Sequence, residues 1–203
     1  MLLASRTGSL LNLADLSRSL ELPYTTLKRY LALLEAVFLV VMLPPWSSNI
    51  GKRLVKSHKV FLNDTGISCH LLHTSSEDLD RNRTLLGSIF ENLIVMELLK
   101  QIAWSEIRPK MFHFRTIKGH EVDIVLQRRN GKLVGIECKA SSTISMDHFK
   151  GLAALKELVG EKFHRGIVLY TGSETVSFAN DFEAVPVSAL WEISSKAAPA
   201  LTE

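Results

Sequence analysis

The sequence predicts a mixed α/β protein in two parts: a small helical segment with a two-stranded hairpin, then a larger mixed sheet flanked by helices. Three observations carry this. Apolar residues recur at three- and four-residue spacing in the first third, ahead of two short apolar runs. A polar stretch at 74–83 separates that third from the remainder. Beyond it, a long helical pattern leads into strand, strand, turn, strand, helix and strand.

In the first part, residues 2–10 read as a helix. Asn12 caps a second helix, with Asp15 at its third position and Leu13, Leu16 and Leu20 on its inner side. Glu21-Leu22-Pro23 ends it. Pro23, at a first helical turn, starts a third helix whose stripe is Leu27, Tyr30, Leu31 and Leu34. A strand from Phe38 to Leu43, a Pro44-Pro45 turn with Trp46, and a second strand from Arg53 to Leu62 complete the segment. Helix, helix, turn, helix and two-stranded wing is a winged helix-turn-helix pattern. There the third helix enters the major groove of DNA, presenting Tyr24, Thr25, Thr26, Lys28 and Arg29. Lys52, Arg53, Lys56 and Lys59 on the wing meet phosphates. Charge agrees: residues 1–60 hold eight Lys/Arg against three acids, a net +5, whereas the remainder holds sixteen against eighteen, a net −2. The expected organisation is a winged helix-turn-helix at 1–73, a linker at 74–83 and a second domain at 84–203.

In the second part a helix is predicted from Thr84 to Trp104. Strands follow at Met111 to Thr116, Glu121 to Gln127 and Lys132 to Ala140, the last two joined through Asn130-Gly131. A helix from Asp147 to Val159, a strand from Gly166 to Tyr170 and a final apolar piece from Ala184 to Trp191 close the chain's pattern.

The residues that carry chemistry are Asp123, Glu137 and Lys139. Alternate residues of a strand share a face, so Glu137 and Lys139 point together with Gly135, away from Val134, Ile136 and Cys138. On the preceding strand Glu121, Asp123 and Gln127 share one face and Val122, Ile124 and Leu126 the other. Two registers are open. A two-residue Asn130-Gly131 turn sets Asp123 opposite Cys138. A three-residue loop, Arg129-Asn130-Gly131 with a left-handed Gly131, sets it opposite Glu137. Opposed carboxylates repel unless a cation lies between them, so the second register predicts a divalent metal at Asp123 and Glu137. Glu91 falls in an apolar helical stripe with Gly87, Ile94, Val95 and Leu98, where a carboxylate needs a partner; a metal, Lys139 or a buried salt bridge would serve.

This arrangement, Glu121-Val122-Asp123 and then Ile136-Glu137-Cys138-Lys139 behind a helix with Glu91, resembles the PD-(D/E)xK nuclease superfamily. The resemblance implies a restriction-endonuclease-like sheet with Glu91, Asp123, Glu137 and Lys139 as the catalytic set. Asp123 and Glu137 would hold Mg²⁺ or Mn²⁺ with the Cys138 carbonyl, Lys139 would orient or activate the attacking water, and Glu91 would complete the acidic site. Val122 stands where the superfamily motif has proline. A wider likeness runs through Lys59 to Gly66, Gly87 to Asn92, Gly135 to Ala140, Gly151-Leu152, Gly166 to Tyr170 and Val185 to Trp191. In that order these pieces are similar to the C-terminal region of prokaryotic AAA-type ATPases, and imply DNA and an ATPase domain as partners.

Other classes are excluded or unsupported. No Gly-x-x-x-x-Gly-Lys-Ser/Thr occurs, and Gly131-Lys132 is followed by Leu133, so the chain by itself is no P-loop ATPase. Two cysteines, Cys69 and Cys138, rule out a disulfide scaffold or a four-cysteine zinc site. His70 and His73 are spaced as metal pairs can be but lack a third ligand. The longest apolar run, Ala36 to Pro45, is too short for a bilayer, and the first residues lack a signal-peptide pattern. The expectation is a cytoplasmic protein with no membrane partner.

Overall fold

A computed structural model describes residues 1–46 and 54–192. Helix α1 (Leu13–Leu20) begins where Asn12 accepts the Asp15 N–H, as the capping pattern requires. Helix α2 (Tyr24–Ala36) follows Pro23, and Leu16, Leu27 and Leu31 make a small core between the two. Tyr30, assigned to the inner stripe, is half exposed instead. Residues 2–10 are not a helix. A single 3-10 turn (Ala4–Arg6) gives way to strand β1 (Ser9–Leu10), because the Gly8 N–H donates to the Val60 carbonyl and draws the segment alongside its neighbour. That neighbour is β3 (Lys59–Leu62), which also pairs antiparallel with β2 (Val40–Leu43), so β3 is central in a three-stranded sheet.

The predicted wing does not stand free. Its arms run onto the edge of the larger sheet. Trp46 N–H donates to the His113 carbonyl, Val55 N–H to that of Arg115, and Trp46 and Leu54 are buried in the core beneath. An edge strand offers unpaired backbone groups, and here the wing arms satisfy them. Lys52 and Arg53, the other wing cations, lie outside the described residues.

Helix α3 (Thr65–Leu71) is capped by Asp64. The stretch 74–83 is a helix rather than a bare linker: α4 (Ser76–Arg81) starts at a capping box of Ser75 and Asp78. Helix α5 (Arg83–Trp104) matches its predicted span. Strands β4 (Lys110–Arg115), β5 (Glu121–Gln127) and β6 (Leu133–Lys139) form an antiparallel meander. A 3-10 turn (Met146–Phe149) and α6 (Lys150–Val159) cross to β7 (Phe163–Tyr170), parallel to β6. Strand β8 (Val176–Ala179) was not expected. It pairs with β9 (Phe182–Pro186), which is parallel to β7, giving the order β4-β5-β6-β7-β9-β8. The sheet is mixed and covered on both faces. Phe90, Ile94, Val95 and Leu98 of α5 pack with Ile124, Ile136 and Phe61 on one side; Leu152 and Leu155 of α6 pack with Val122, Val125 and Val168 on the other.

One close approach positions everything that follows. A Cβ on Gly151, in the first turn of α6, would lie 1.8 Å from the Glu121 carbonyl oxygen and 2.8 Å from Glu137 Oε1. Only glycine lets α6 sit down on the ends of β5 and β6. Gly151→Ala should therefore cost about 1–3 kcal/mol from overpacking. Gly87→Ala in α5, where a Cβ meets nothing within 4 Å, should be neutral or stabilising by up to about 1 kcal/mol. Thermal melts of the two variants check the contrast.

Candidate functional site

The register of β5 and β6 decides the site. Ile124 pairs with Ile136 and Gln127 with Leu133, and Arg128 N–H donates to the Lys132 carbonyl across a three-residue loop. Gly131 there has φ +81°, a left-handed conformation that glycine adopts without strain. This is the register that sets Asp123 opposite Glu137. Pairing stops at Ile124, and the Asp123 carboxylate takes over: its Oδ2 accepts the Cys138 N–H at 2.9 Å.

A bulge in β5 modifies the expected faces. Phe112 pairs with Val125 and Phe114 with Val122, so one residue of β4 faces two of β5, Asp123 and Ile124. Val122 and Val125 consequently join the core under α6, while Ile124 joins the one under α5. Strict alternation would have kept Val122 with Ile124.

Glu137 is buried and forms a hydrogen bond with Asp123, while Lys139 Nζ lies 3.2 Å from Glu137 Oε2. Burial, and then the Asp123 charge, push the Glu137 carboxyl well above its ordinary range. Burial also raises Asp123, but Lys59, the Cys138 N–H and Lys139 outweigh it and hold Asp123 below its usual value. Two adjacent carboxylates beside a lysine are thus driven in opposite directions. A cleft of roughly 250 Å³ opens over them, lined by Glu121, Asp123, Glu137, Lys139, Asp147 and His148.

Lys59 is the largest correction. Read as a phosphate contact, it is instead 2% exposed. Its ammonium lies 2.8 Å from Glu91 Oε1, 2.8 Å from Glu121 Oε1 and 3.3 Å from Asp123 Oδ1. Glu91 therefore has a partner in Lys59, the buried salt bridge among the alternatives. Burial lowers the Lys59 pKa, yet Asp123, Glu91 and Glu121 together raise it above the ordinary value. Burial and the Asp123 charge lift Glu91 to about 8 in spite of Lys59. Asn92, next on α5 and fully buried, fixes the arrangement. It accepts from Leu62 N–H at 3.1 Å, donates to the Leu62 carbonyl at 3.0 Å and accepts from the Thr7 hydroxyl at 2.5 Å.

Four further cations of the second part, Lys118, Arg128, Arg129 and Lys150, stand at different distances from the cleft. Lys118 lies in the β4–β5 loop, at the site end, and Lys150 pairs with Asp147 at 2.9 Å. Arg128 and Arg129 lie at the opposite end of β5, roughly 17 Å along the strand from Asp123. On α2, Thr25, Lys28 and Arg29 are exposed and Thr26 is half-buried; Lys28 Nζ lies 5.0 Å from the Tyr24 ring centroid. Lys56 is exposed. Sequence reasoning missed Lys59, Asp147 and His148. For Lys59 a signal existed: it heads the otherwise apolar run Val60-Phe61-Leu62, every residue of which is buried.

Among the described residues, no group of three or more His, Cys, Asp or Glu side chains is arranged to hold a metal ion. The hard oxygens of Asp123 and Glu137, brought together by the β5–β6 register, do fit a divalent cation as two side-chain ligands, since such an ion would offset their mutual repulsion. No described helix is long and apolar enough to cross a membrane.

The fold and site define a mixed α/β protein with a buried acidic centre at two strand ends. It belongs to the DUF4143 family, a domain of unknown function typical of AAA-ATPase-associated proteins, matched over residues 86–190. Residues 1–78 match a second domain of unknown function, DUF8612. Curated relatives include the uncharacterized proteins Mb2031c of Mycobacterium bovis and Rv2008c of Mycobacterium tuberculosis. Each is 32% identical over 186 residues, covering 91% of this chain and 40% of the relative. The chain thus spans well under half the length of these relatives.

The Glu91 environment has a pH signature. Its folded pKa lies above the unfolded one, so its ionisation opposes folding increasingly as pH rises from about 4.5 to about 8. Asp123 has the opposite sign and loses its contribution only as pH falls through the acid range. Glu91→Gln should therefore gain stability relative to wild type between pH 5 and pH 8, read from melting temperatures at both.

Proposed function

We propose that the chain is the PD-(D/E)xK nuclease-like C-terminal portion of an AAA-type ATPase, acting on DNA with Mg²⁺ or Mn²⁺. The observation that carries this is the placement of Asp123 and Glu137 on adjacent strand ends beside Lys139, under an open cleft that all three line. Asp123 and Glu137 would hold the ion. When bound, the ion supplies a more acidic water and offsets charge on the phosphate. Lys139 orients the attacking water and neutralises the phosphate from the cleft side. Burial lowers the Lys139 pKa, but Glu137 and Asp123 raise it overall, so the side chain serves as a cation and hydrogen-bond donor, not as a neutral base. The exposed Thr25, Lys28 and Arg29 on α2 suit a DNA backbone or groove, in keeping with a winged helix-turn-helix whose wing is docked on the sheet. The chain's short span of its relatives leaves room for an ATPase domain in the longer proteins.

A second reading is a catalytically silent DNA- or protein-binding module working with that ATPase domain. The internal neutralisation of Glu91, Glu121 and Asp123 by Lys59 favours it.

Calorimetry with Mn²⁺, and plasmid cleavage on the same samples, separates the two. The first reading expects binding that Asp123→Asn abolishes. Lys139→Met should keep the ion but lose cleavage by about 10²–10³-fold. No binding by wild type would leave the silent module. Separately, Lys28→Ala with Arg29→Ala should weaken duplex binding without changing sequence preference, and should lower the slope of log K against log salt by about 0.9 per lost phosphate contact.

A further inference from the structure

We infer that Lys59 is a built-in second cation of the Asp123–Glu137 centre: its ammonium holds the position between Glu91, Glu121 and Asp123 that a second divalent ion would otherwise occupy, so the centre takes one exchangeable ion. This rests on the metal-binding reading above.

The geometry is that of a cation site filled by the chain itself. The ammonium has three hydrogens and three carboxylate acceptors, at 2.8, 2.8 and 3.3 Å. Its backbone cannot retreat. Lys59 pairs with Leu10 on one side and Leu43 on the other, and every residue of β3 is buried. Asp123 would face both cations: its Oδ1 lies against Lys59, while its Oδ2 accepts the Cys138 N–H on the Glu137 side. In sites with two ions, carboxylates bridge metals about 3.5–4 Å apart. Here one of the two charges is tethered. It cannot be chelated away, and it leaves Glu137 and Lys139 to the exchangeable ion. The same tether balances Glu91 behind the cleft, while Glu121 at the cleft wall is shared between Lys59 and Arg115, the latter at 3.2 Å.

The test counts bound Mn²⁺ by calorimetry and by electron paramagnetic resonance, using the full chain. Wild type should bind one ion and Lys59→Gln two, with magnetic coupling between them. A folded Lys59→Gln chain that binds no more Mn²⁺ than wild type overturns the inference and leaves the one-metal reading intact. Wild type binding none while Lys59→Gln binds one overturns the metal-dependent reading but supports Lys59 as the cation's stand-in. If Lys59→Gln is unfolded in chelator, millimolar Mn²⁺ should restore it, because an ion that binds only the folded state stabilises it by mass action. A chain that stays unfolded in Mn²⁺ overturns the inference equally.

Discussion

The buried ammonium of Lys59 ties together three stretches of chain that are far apart in sequence: β3, α5 and the start of β5. Taking one charge out of water costs several kcal/mol, and taking four costs far more, so the cluster survives only because its members satisfy one another. Removing Lys59 would leave the Glu91 and Asp123 carboxyls crowded together without a cation. That demand reaches outward. β3 must be held on both sides, which β1 and β2 do. α5 must present Glu91 at a fixed height, which Asn92 secures by bonding both backbone groups of Leu62. The N-terminal segment is drawn in as well, through Thr7 on Asn92 and Gly8 on Val60.

Around this anchor the larger sheet supplies reactive geometry by interrupting its own regularity. Pairing between β5 and β6 ends at Ile124, and beyond it a carboxylate replaces a backbone carbonyl as the acceptor for Cys138 N–H. The bulge at Asp123–Ile124 frees Asp123 from strict alternation. Gly151 brings α6 down against the Glu121 carbonyl and Glu137, closing one side and leaving the cleft open towards Asp147 and His148. The result is a set of ionisable groups whose pKa values are driven apart: Asp123 is held low, while Glu91 and Glu137 are held high. Such separation is what acid–base and metal chemistry require, although structural ion-pair networks show it too.

The two family matches divide the chain between residues 78 and 86, but packing does not respect that division. Leu43 and Phe61 lie in the core under α5, and Trp46 and Leu54 lie in the one under α6. The central cation comes from the first region and its three carboxylates from the second. The basic, polar face of α2 remains the outward-looking surface of the first region, with only its small Leu16–Leu27–Leu31 core behind it.

Local chemistry was legible in the sequence. Asn12 and Asp15, the long stripe of α5 and the Asn130-Gly131 turn each act within a few residues, so the start of α1, the span of α5 and the existence of the β5–β6 hairpin followed from residue type. The candidates Asp123, Glu137 and Lys139 were legible too, because strand alternation and a short hairpin bring them near one another, but both registers stayed open until the structure showed the three-residue loop with a left-handed Gly131. What the sequence left open was every relation between distant segments. Residues 2–10 became a strand because β3 offered a partner; the wing docked because β4 had a free edge; β8 formed on β9, although its own sequence carries little strand signal. Above all, Lys59 looked like a surface cation by residue type and by neighbouring charge. Only tertiary packing set three carboxylates around it, since a buried ion pair is fixed by where strands and helices meet, and no local pattern encodes that meeting.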